Sequence, residues 1–153
     1  MPEYHILENS WGHFCLAIKQ QQLCRLYIPG EILPEECSDV VSPLLLAAVR
    51  QLEEYLLGRR WEFDLPLAPQ GTVFQQQVWA ELLRIPYGET RSYQVLAEKI
   101  GKAKACRAVG MACHRNPLPI FIPCHRVIAK NGALQGFRGG LEMKERLLQL
   151  EKQ

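Results

Sequence analysis

No run in this chain approaches the roughly 20 apolar residues that cross a bilayer, so a membrane-spanning helix is excluded. The amino terminus, Met1-Pro2-Glu3-Tyr4-His5, lacks the charged and then apolar pattern of an export signal, and an intracellular, cytoplasmic location is expected. Without an export signal, the six cysteines are read as reduced thiols and not as a disulfide framework. No C-x-x-C pair accompanies them, which weakens any structural zinc site. Internal repeats, low-complexity tracts and a basic nuclear-localisation tract are also missing, and the compact length of 153 residues suits a prokaryotic protein. With 48% hydrophobic residues, that length buries a core as one domain or two small ones.

The formal net charge of +2 conceals a strong asymmetry. Up to Pro69 there are five Lys or Arg against ten Asp or Glu; from Gln70 onward there are thirteen against six. An acidic first part is joined to a basic second part, which implies a polyanionic partner for the latter, or else a solvated basic face. Between Arg84 and Arg138, ten basic residues meet only Glu89 and Glu98, which favours nucleic acid.

From Tyr4 to Ile28 the pattern is β-rich with breaks at Asn9-Ser10-Trp11-Gly12 and Gln20-Gln21-Gln22, predicting a three-stranded antiparallel meander. His13, Cys15 and Cys24 form a conceivable but weak metal corner there. Pro29 to Val41 reads as an acidic loop. Ser42-Pro43 opens a helix whose stripe of Leu44, Leu45, Ala48, Leu52, Tyr55 and Leu56 should cover one face of the sheet before a stop at Gly58. Leu65-Pro66-Leu67-Ala68-Pro69-Gln70-Gly71 is the boundary candidate, dividing the chain into 1–69 and 70–153.

Thr72-Val73-Phe74-Gln75 fits a capping box and predicts a helix through Leu83. After the turn Pro86-Tyr87-Gly88-Glu89, Ser92 can cap a short helix from Tyr93 to Ile100. A second helix is predicted from about Ala103 to Arg115, carrying Lys104, Arg107, His114 and Arg115. This pair reads as a helix-turn-helix or as an ordinary helical hairpin, with the positive charge pointing to the former. Leu118 to Ile122 should be extended between its prolines. Arg126 to Leu134 reads as a hairpin around Asn131-Gly132, serving as a wing, and Leu141 to Leu150 as a closing amphipathic helix.

The reactive stretch is Ile122-Pro123-Cys124-His125-Arg126-Val127-Ile128, a thiol, an imidazole and a guanidinium in stiff backbone. A thiol attacks as thiolate, which a nearby base or cation favours. Neighbouring side chains of a strand point opposite ways, so His125 serves Cys124 only if the chain turns there or a water bridges them. A buried structural cysteine beside an ordinary histidine explains the dipeptide as well. The echo of Cys113-His114-Arg115 also admits a zinc-binding transcription factor, although the spacing matches no common finger. A cysteine hydrolase would need an oxyanion hole and would turn over.

Ser92-Tyr93, Arg107-Ala108-Val109-Gly110, Asn116-Pro117 and Ile122-Pro123-Cys124-His125-Arg126-Val127, in this order and spacing, closely resemble the O6-alkylguanine-DNA alkyltransferases, or methylated-DNA-protein-cysteine methyltransferases. The resemblance covers essentially the whole chain. It implies an α/β plus α architecture, with a small ribonuclease H-like amino-terminal domain and a winged helix-turn-helix carboxy-terminal domain. It further implies a stoichiometric, suicide methyltransferase that flips O6-methylguanine, and O4-methylthymine, out of double-stranded DNA and moves the alkyl group irreversibly to Cys124. By the same likeness His125 removes the thiol proton through a water, Glu151 orients the imidazole, Tyr93 donates a proton to the base, and Asn116 holds the turn. Arg107 takes the place of the extruded nucleotide, Ser92, Lys104, Gly110, His114 and Arg115 contact DNA, and Val127, Arg138 and Gly139 line the base pocket.

No cofactor or metal is implied for this chain, because the zinc ligands of vertebrate relatives cannot be matched in it. A monomer able to bind cooperatively along DNA is expected. Cys106 stands where alanine is common and His114 where arginine often lies, which bears on the DNA face. A non-catalytic lesion binder like the alkyltransferase-like proteins, which replace the acceptor cysteine, is disfavoured by Cys124 itself.

Overall fold

The computed structural model describes residues 2–35, 41–132 and 136–152. Two compact units emerge from it, Met1–Gln70 and Gly71–Gln153. Residues 36–40 of the expected acidic loop, Cys37 among them, and residues 133–134 of the expected hairpin lie outside the described residues.

The first unit is built on strands β1 (Glu3–Asn9), β2 (Gly12–Lys19) and β3 (Gln22–Tyr27), antiparallel in the order β1-β2-β3. Both turns are two residues long, as the Asn9↔Gly12 and Lys19↔Gln22 pairs require. At the second, Gln20 and Gln21 take φ of 52° and 61°, the left-handed pair whose twist matches that of the flanking strands. Phe14 to Ile18 are all buried, so the central strand is covered on both faces and does not alternate. Helix α1 (Pro43–Leu56) lays Leu45, Ala48, Leu52 and Tyr55 on the sheet. Its first turn is fixed by proline and by Ser42 Oγ, which accepts from Leu45 N at 3.2 Å.

The expected irregular boundary turns out to be partly sheet. Leu23 N donates to Pro66 O at 2.9 Å and Ala68 N donates to Leu23 O at 2.8 Å, placing Leu67 beside β3 in a parallel bridge. Pro66 lacks a donor but keeps its carbonyl, and that carbonyl and the Ala68 amide reach the open edge. The conceivable metal corner is dispersed. His13 is exposed beside Glu8, Cys15 is buried, and the Cys24 thiol donates to Ala17 O. Among the described residues no three potential ligands gather, and no helix is long and apolar enough to cross a membrane.

The second unit opens with α2 (Val73–Leu82), whose capping box between Thr72 and Gln75 forms as expected. Gly71 precedes it because a Cβ there would lie 2.4 Å from the Trp79 ring. Trp79 is buried and donates its indole N–H to Ala112 O at 2.9 Å, which ties α2 to α4. There follow β4 (Arg91–Ser92), α3 (Tyr93–Lys99), α4 (Cys106–His114), a 3₁₀ turn at Cys124–Arg126, β5 (Val127–Ile128) and α5 (Leu141–Glu151).

Three expectations are corrected here. Helix α4 begins at Cys106 and not near Ala103, because Ala105 at its cap has no side chain to hold the free amides; Lys104 therefore lies in the preceding turn. Leu118 to Ile122 is not extended: Ile122 N reaches back to Leu118 O at 2.8 Å and Ile120 takes φ 75°. The prolines do forbid a helix, but Asn116 folds the segment into a compact turn instead. Finally, β5 pairs in parallel with β4, Arg91 opposite Val127 and Ser92 opposite Ile128, and Arg126 belongs to the 3₁₀ turn. Strands of two residues leave no alternation in the sequence to announce them. The Asn131-Gly132 turn itself is present, with Gly132 N donating to Ala129 O at 2.8 Å.

Candidate active site

Parallel pairing of β4 with β5 sets Tyr93, the first residue of α3, beside the end of the Cys124 turn. Ser92 is spent locally as the α3 cap, its Oγ accepting from Val95 N at 3.1 Å. The 3₁₀ turn meets the requirement that the chain bend at Cys124-His125, and it buries Cys124, His125 and Arg126 together.

Asn116 shapes the approach to that turn. Its Nδ2 donates to Ile122 O at 2.8 Å, its Oδ1 accepts from Leu118 N at 2.9 Å, and its carbonyl accepts from Arg138 Nη1 at 2.7 Å. With Asn116 only 1% exposed, each bond replaces a water that is not there.

Below the turn stands Glu151, the last residue of α5, which four donors surround. His125 Nε2 lies 2.7 Å from Oε2, Arg126 Nε and Nη2 lie 2.8 and 2.9 Å from Oε1 and Oε2, and Gly88 N lies 3.2 Å from Oε1. Gly88 presents its amide from a turn with φ 81°, a left-handed position at i+2 that suits glycine. Arg126 completes its set by donating Nη1 to Ile85 O at 2.6 Å. A carboxylate can only accept, so the proton of His125 sits on Nε2 and the basic lone pair on Nδ1. Burial holds the His125 pKa below the usual range, against the pull of Glu151, and keeps the imidazole neutral.

The Cys124 thiol is pushed up by burial, with the Asn116 side chain and the charges of Arg138 and Lys144 pulling it back down. Tyr93 is raised to about 12 by burial and by the neighbouring Cys113 and Cys124, so it keeps its proton at neutral pH. Cys113, buried on α4, is raised as well. The site thus holds a neutral thiol, a neutral base oriented by a carboxylate, and a protonated phenol, an arrangement suited to activating sulfur and donating one proton.

In front lies a cleft of about 390 Å³ lined by Tyr93, Gly110, Met111, His114 and Gly136. Gly110 packs close to the Tyr93 ring, where an added Cβ would lie 3.8 Å from it. Val127, Arg138 and Gly139 are not in that lining: Val127 is fully buried and Arg138 supports Asn116. Cys124, 6% exposed, is not in it either, and Tyr93 is the residue common to the cleft and the surroundings of the thiol.

Arg107, Met111 and His114 form one exposed stripe of α4, opposite Val109, Ala112 and Cys113, which are buried. Lys104 and Arg115 are exposed at the two ends of the helix. Cys106 is half-buried, its thiol donating to Gln94 Oε1 at 2.8 Å.

The roles of two residues escaped the sequence reading. Arg126 proves to be the principal partner of Glu151, and Lys144, only 1% exposed, donates to Val127 O. Lys144, Leu147 and Glu151 occupy positions i, i+3 and i+7 of α5, so charged residues on the inward stripe of an amphipathic helix were the available signal.

The family model described as 6-O-methylguanine DNA methyltransferase, DNA binding domain, matches residues 73–153. A methylated-DNA–protein-cysteine methyltransferase of Methanosarcina mazei is 55% identical over 152 residues, 97% of this chain and 96% of its own length. The constitutive methylated-DNA–protein-cysteine methyltransferase of Bacillus subtilis is 45% identical over 159 residues, 99% of this chain and 96% of its own. Among solved structures, that of Mycobacterium tuberculosis OGT in complex with DNA matches with a TM-score of 0.90 at 42% identity, covering 98% of this chain and 92% of that one.

Proposed function

The chain belongs to the 6-O-methylguanine-DNA methyltransferase family, and on that footing we propose that it repairs alkylated duplex DNA by moving the alkyl group to its own Cys124. The observation that carries the assignment is the buried His125–Glu151 pair in the same turn as the buried Cys124. The substrate is O6-methylguanine, and O4-methylthymine by the same chemistry, turned out of the stack at a cost of a few kcal/mol.

In this reading Nδ1 of His125 takes the Cys124 proton through a water. Sulfur then attacks the saturated carbon, the S–C bond forming as the C–O6 bond breaks. The electron pair left on guanine draws a proton from Tyr93, which the proton held by His125 restores through solvent. The balance is one thiol proton delivered to guanine and one thioether formed. A thioether is a poor leaving group, so each molecule acts once.

Arg107 fills the gap left by the flipped nucleotide, while Lys104, Ser92, Gly110, His114 and Arg115 position the duplex. Val127, Arg138 and Gly139 support the pocket from behind. Residues 1–69 are read as a ribonuclease H-like domain and 70–153 as a winged helix-turn-helix. The protein works in the cytoplasm as a monomer that can bind cooperatively along DNA.

The test is to mix the protein with a duplex bearing one O6-methylguanine and to locate added methyl groups by peptide mass spectrometry. One methyl per protein on Cys124, absent from Cys124→Ser, is expected. Tight lesion binding with no methylated peptide would replace this reading with lesion recognition alone.

A further inference from the structure

Helix α4 carries the exposed stripe of Arg107, Met111 and His114, yet its own start has nothing local to hold it. Ala105 at the cap offers no polar side chain and the first turn contains no acidic residue, so no side chain caps the leading amides. The far half of the helix is fixed from α2, where the Trp79 indole N–H donates to Ala112 O at 2.9 Å. The near half, where Arg107 stands, is held from α3 by Gln94.

Gln94, the second residue of α3, makes three hydrogen bonds with one amide. Its Nε2 donates to Glu98 Oε1 at 3.2 Å and to Ala103 O at 3.0 Å, and its Oε1 accepts from the Cys106 thiol at 2.8 Å. Both amide hydrogens are thereby engaged, and the oxygen is the group turned to Cys106. Glu98 lies four residues further along the same helix and fixes the orientation of the amide. Ala103 belongs to the connecting turn and Cys106 opens α4, so a single side chain joins α3, the turn and α4. Each end of the Gln94–Cys106 bond is one residue from a group that the transfer scheme uses: Tyr93 precedes Gln94, and Arg107 follows Cys106.

We propose that Gln94 is a positioning residue for duplex binding, its amide locking the uncapped start of α4 to α3 so that Arg107 and Tyr93 meet the DNA at a fixed spacing. The proposal rests on α4 being the helix that contacts DNA. Extruding a nucleotide requires that the group filling its place and the cleft receiving it act at neighbouring points of one duplex. A helix start free to shift would have to be ordered at the moment of binding, and that ordering is subtracted from affinity. The Gln94–Cys106 bond establishes the order beforehand. Both residues are half-buried, where a hydrogen bond competes less with water than on an open surface.

The test is a double-variant cycle in the full chain, with two readouts. One is the Kd for an unmodified duplex by fluorescence anisotropy; the other is single-turnover methyl transfer over a range of O6-methylguanine duplex concentrations. Gln94→Ala and Cys106→Ala, which both introduce a good helix former, should each weaken binding about fivefold, the worth of one hydrogen bond. The double variant should also be weakened only about fivefold, because the two residues share that bond. Cys106→Ser, which keeps a donor, should stay within about twofold of the wild type. The half-saturating duplex concentration should rise with Kd while the transfer rate at saturation keeps its wild-type value, a split that general damage to the fold would not produce. Wild-type binding by Cys106→Ala, or Cys106→Ser binding no better than Cys106→Ala, would overturn the proposal. So would a double variant weakened about 25-fold, the product that independent residues give. A wild-type protein that binds no duplex would overturn the reading of α4 beneath the proposal, whereas a wild type that binds and variants that match it would overturn the positioning role alone.

Discussion

Replacing Glu151 by glutamine changes one atom and should nevertheless be among the most damaging substitutions in the second unit. The Glu151 side chain is 1% exposed and accepts from His125, from both forks of Arg126 and from Gly88. An amide offers one acceptor oxygen and turns an N–H₂ toward donors on the other side, so at least one close contact becomes donor against donor. Arg126, 7% exposed, would keep its charge with no carboxylate beside it. Breaking a buried ion pair from one side costs about 3–5 kcal/mol. For a unit of this size each kcal/mol moves the melting temperature by roughly 4–8 °C, so a fall of at least about 12 °C is expected. Urea and thermal denaturation would measure it, beside the double variant Arg126→Met/Glu151→Leu. With both charges gone, the double variant should lose less than the sum of its singles, by about 0.5–3 kcal/mol. In parallel, the amide can donate to Nε2 of His125 and shift the ring proton to Nδ1, which should slow methyl transfer by roughly 10²–10⁴-fold. A Glu151→Gln protein within about 1 kcal/mol of wild type, together with additive singles, would refute the account of this carboxylate as the counter-charge of the site.

Asn116→Ala strands the Leu118 amide and the Ile122 carbonyl in a buried turn and should cost about 2–5 kcal/mol in denaturant unfolding; a loss under about 1 kcal/mol would mean that the turn holds itself. Tyr93→Phe should slow transfer far more than it weakens binding to an O6-methylguanine duplex, whereas equal losses would make Tyr93 a binding residue. Thermal stability should be highest on a plateau between roughly pH 6.5 and 8.5. On the acid side, the depressed folded pKa of His125 means that the unfolded chain binds its proton first, so stability is lost as pH falls. On the alkaline side, the raised thiols of Cys113 and Cys124 ionise first in the unfolded chain, so stability is lost as pH rises. A melting temperature that keeps climbing below pH 6 would contradict the neutral, buried imidazole.

What the sequence disclosed, and what it withheld, follows the range of the forces involved. The meander, the Ser42 cap and the Thr72–Gln75 capping box were legible because each is decided within a few residues. The start of α4 was misplaced because a run of good helix formers from Ala103 hid the lack of a cap at Ala105. The parallel pairing of β4 with β5 joins residues far apart in the chain, through strands too short to show a period. Cys124 and His125 stood out by their chemistry, and the family resemblance supplied Glu151. That resemblance was silent about Arg126 and Lys144, because only the folded register of α5 brings a carboxylate and an ammonium beneath the same turn.

Helix α5 also imposes an order of events on the ribosome. Cys124 is synthesised before Lys144 and Glu151, the residues that tie its turn down from the far side. A growing chain that has released Cys124 but not yet this helix carries the proposed acceptor without the groups that hold its turn and His125. On the proposed reading, directed alkyl transfer begins only once synthesis has passed Glu151, and a copy clipped ahead of α5 would keep its basic helix while losing that transfer.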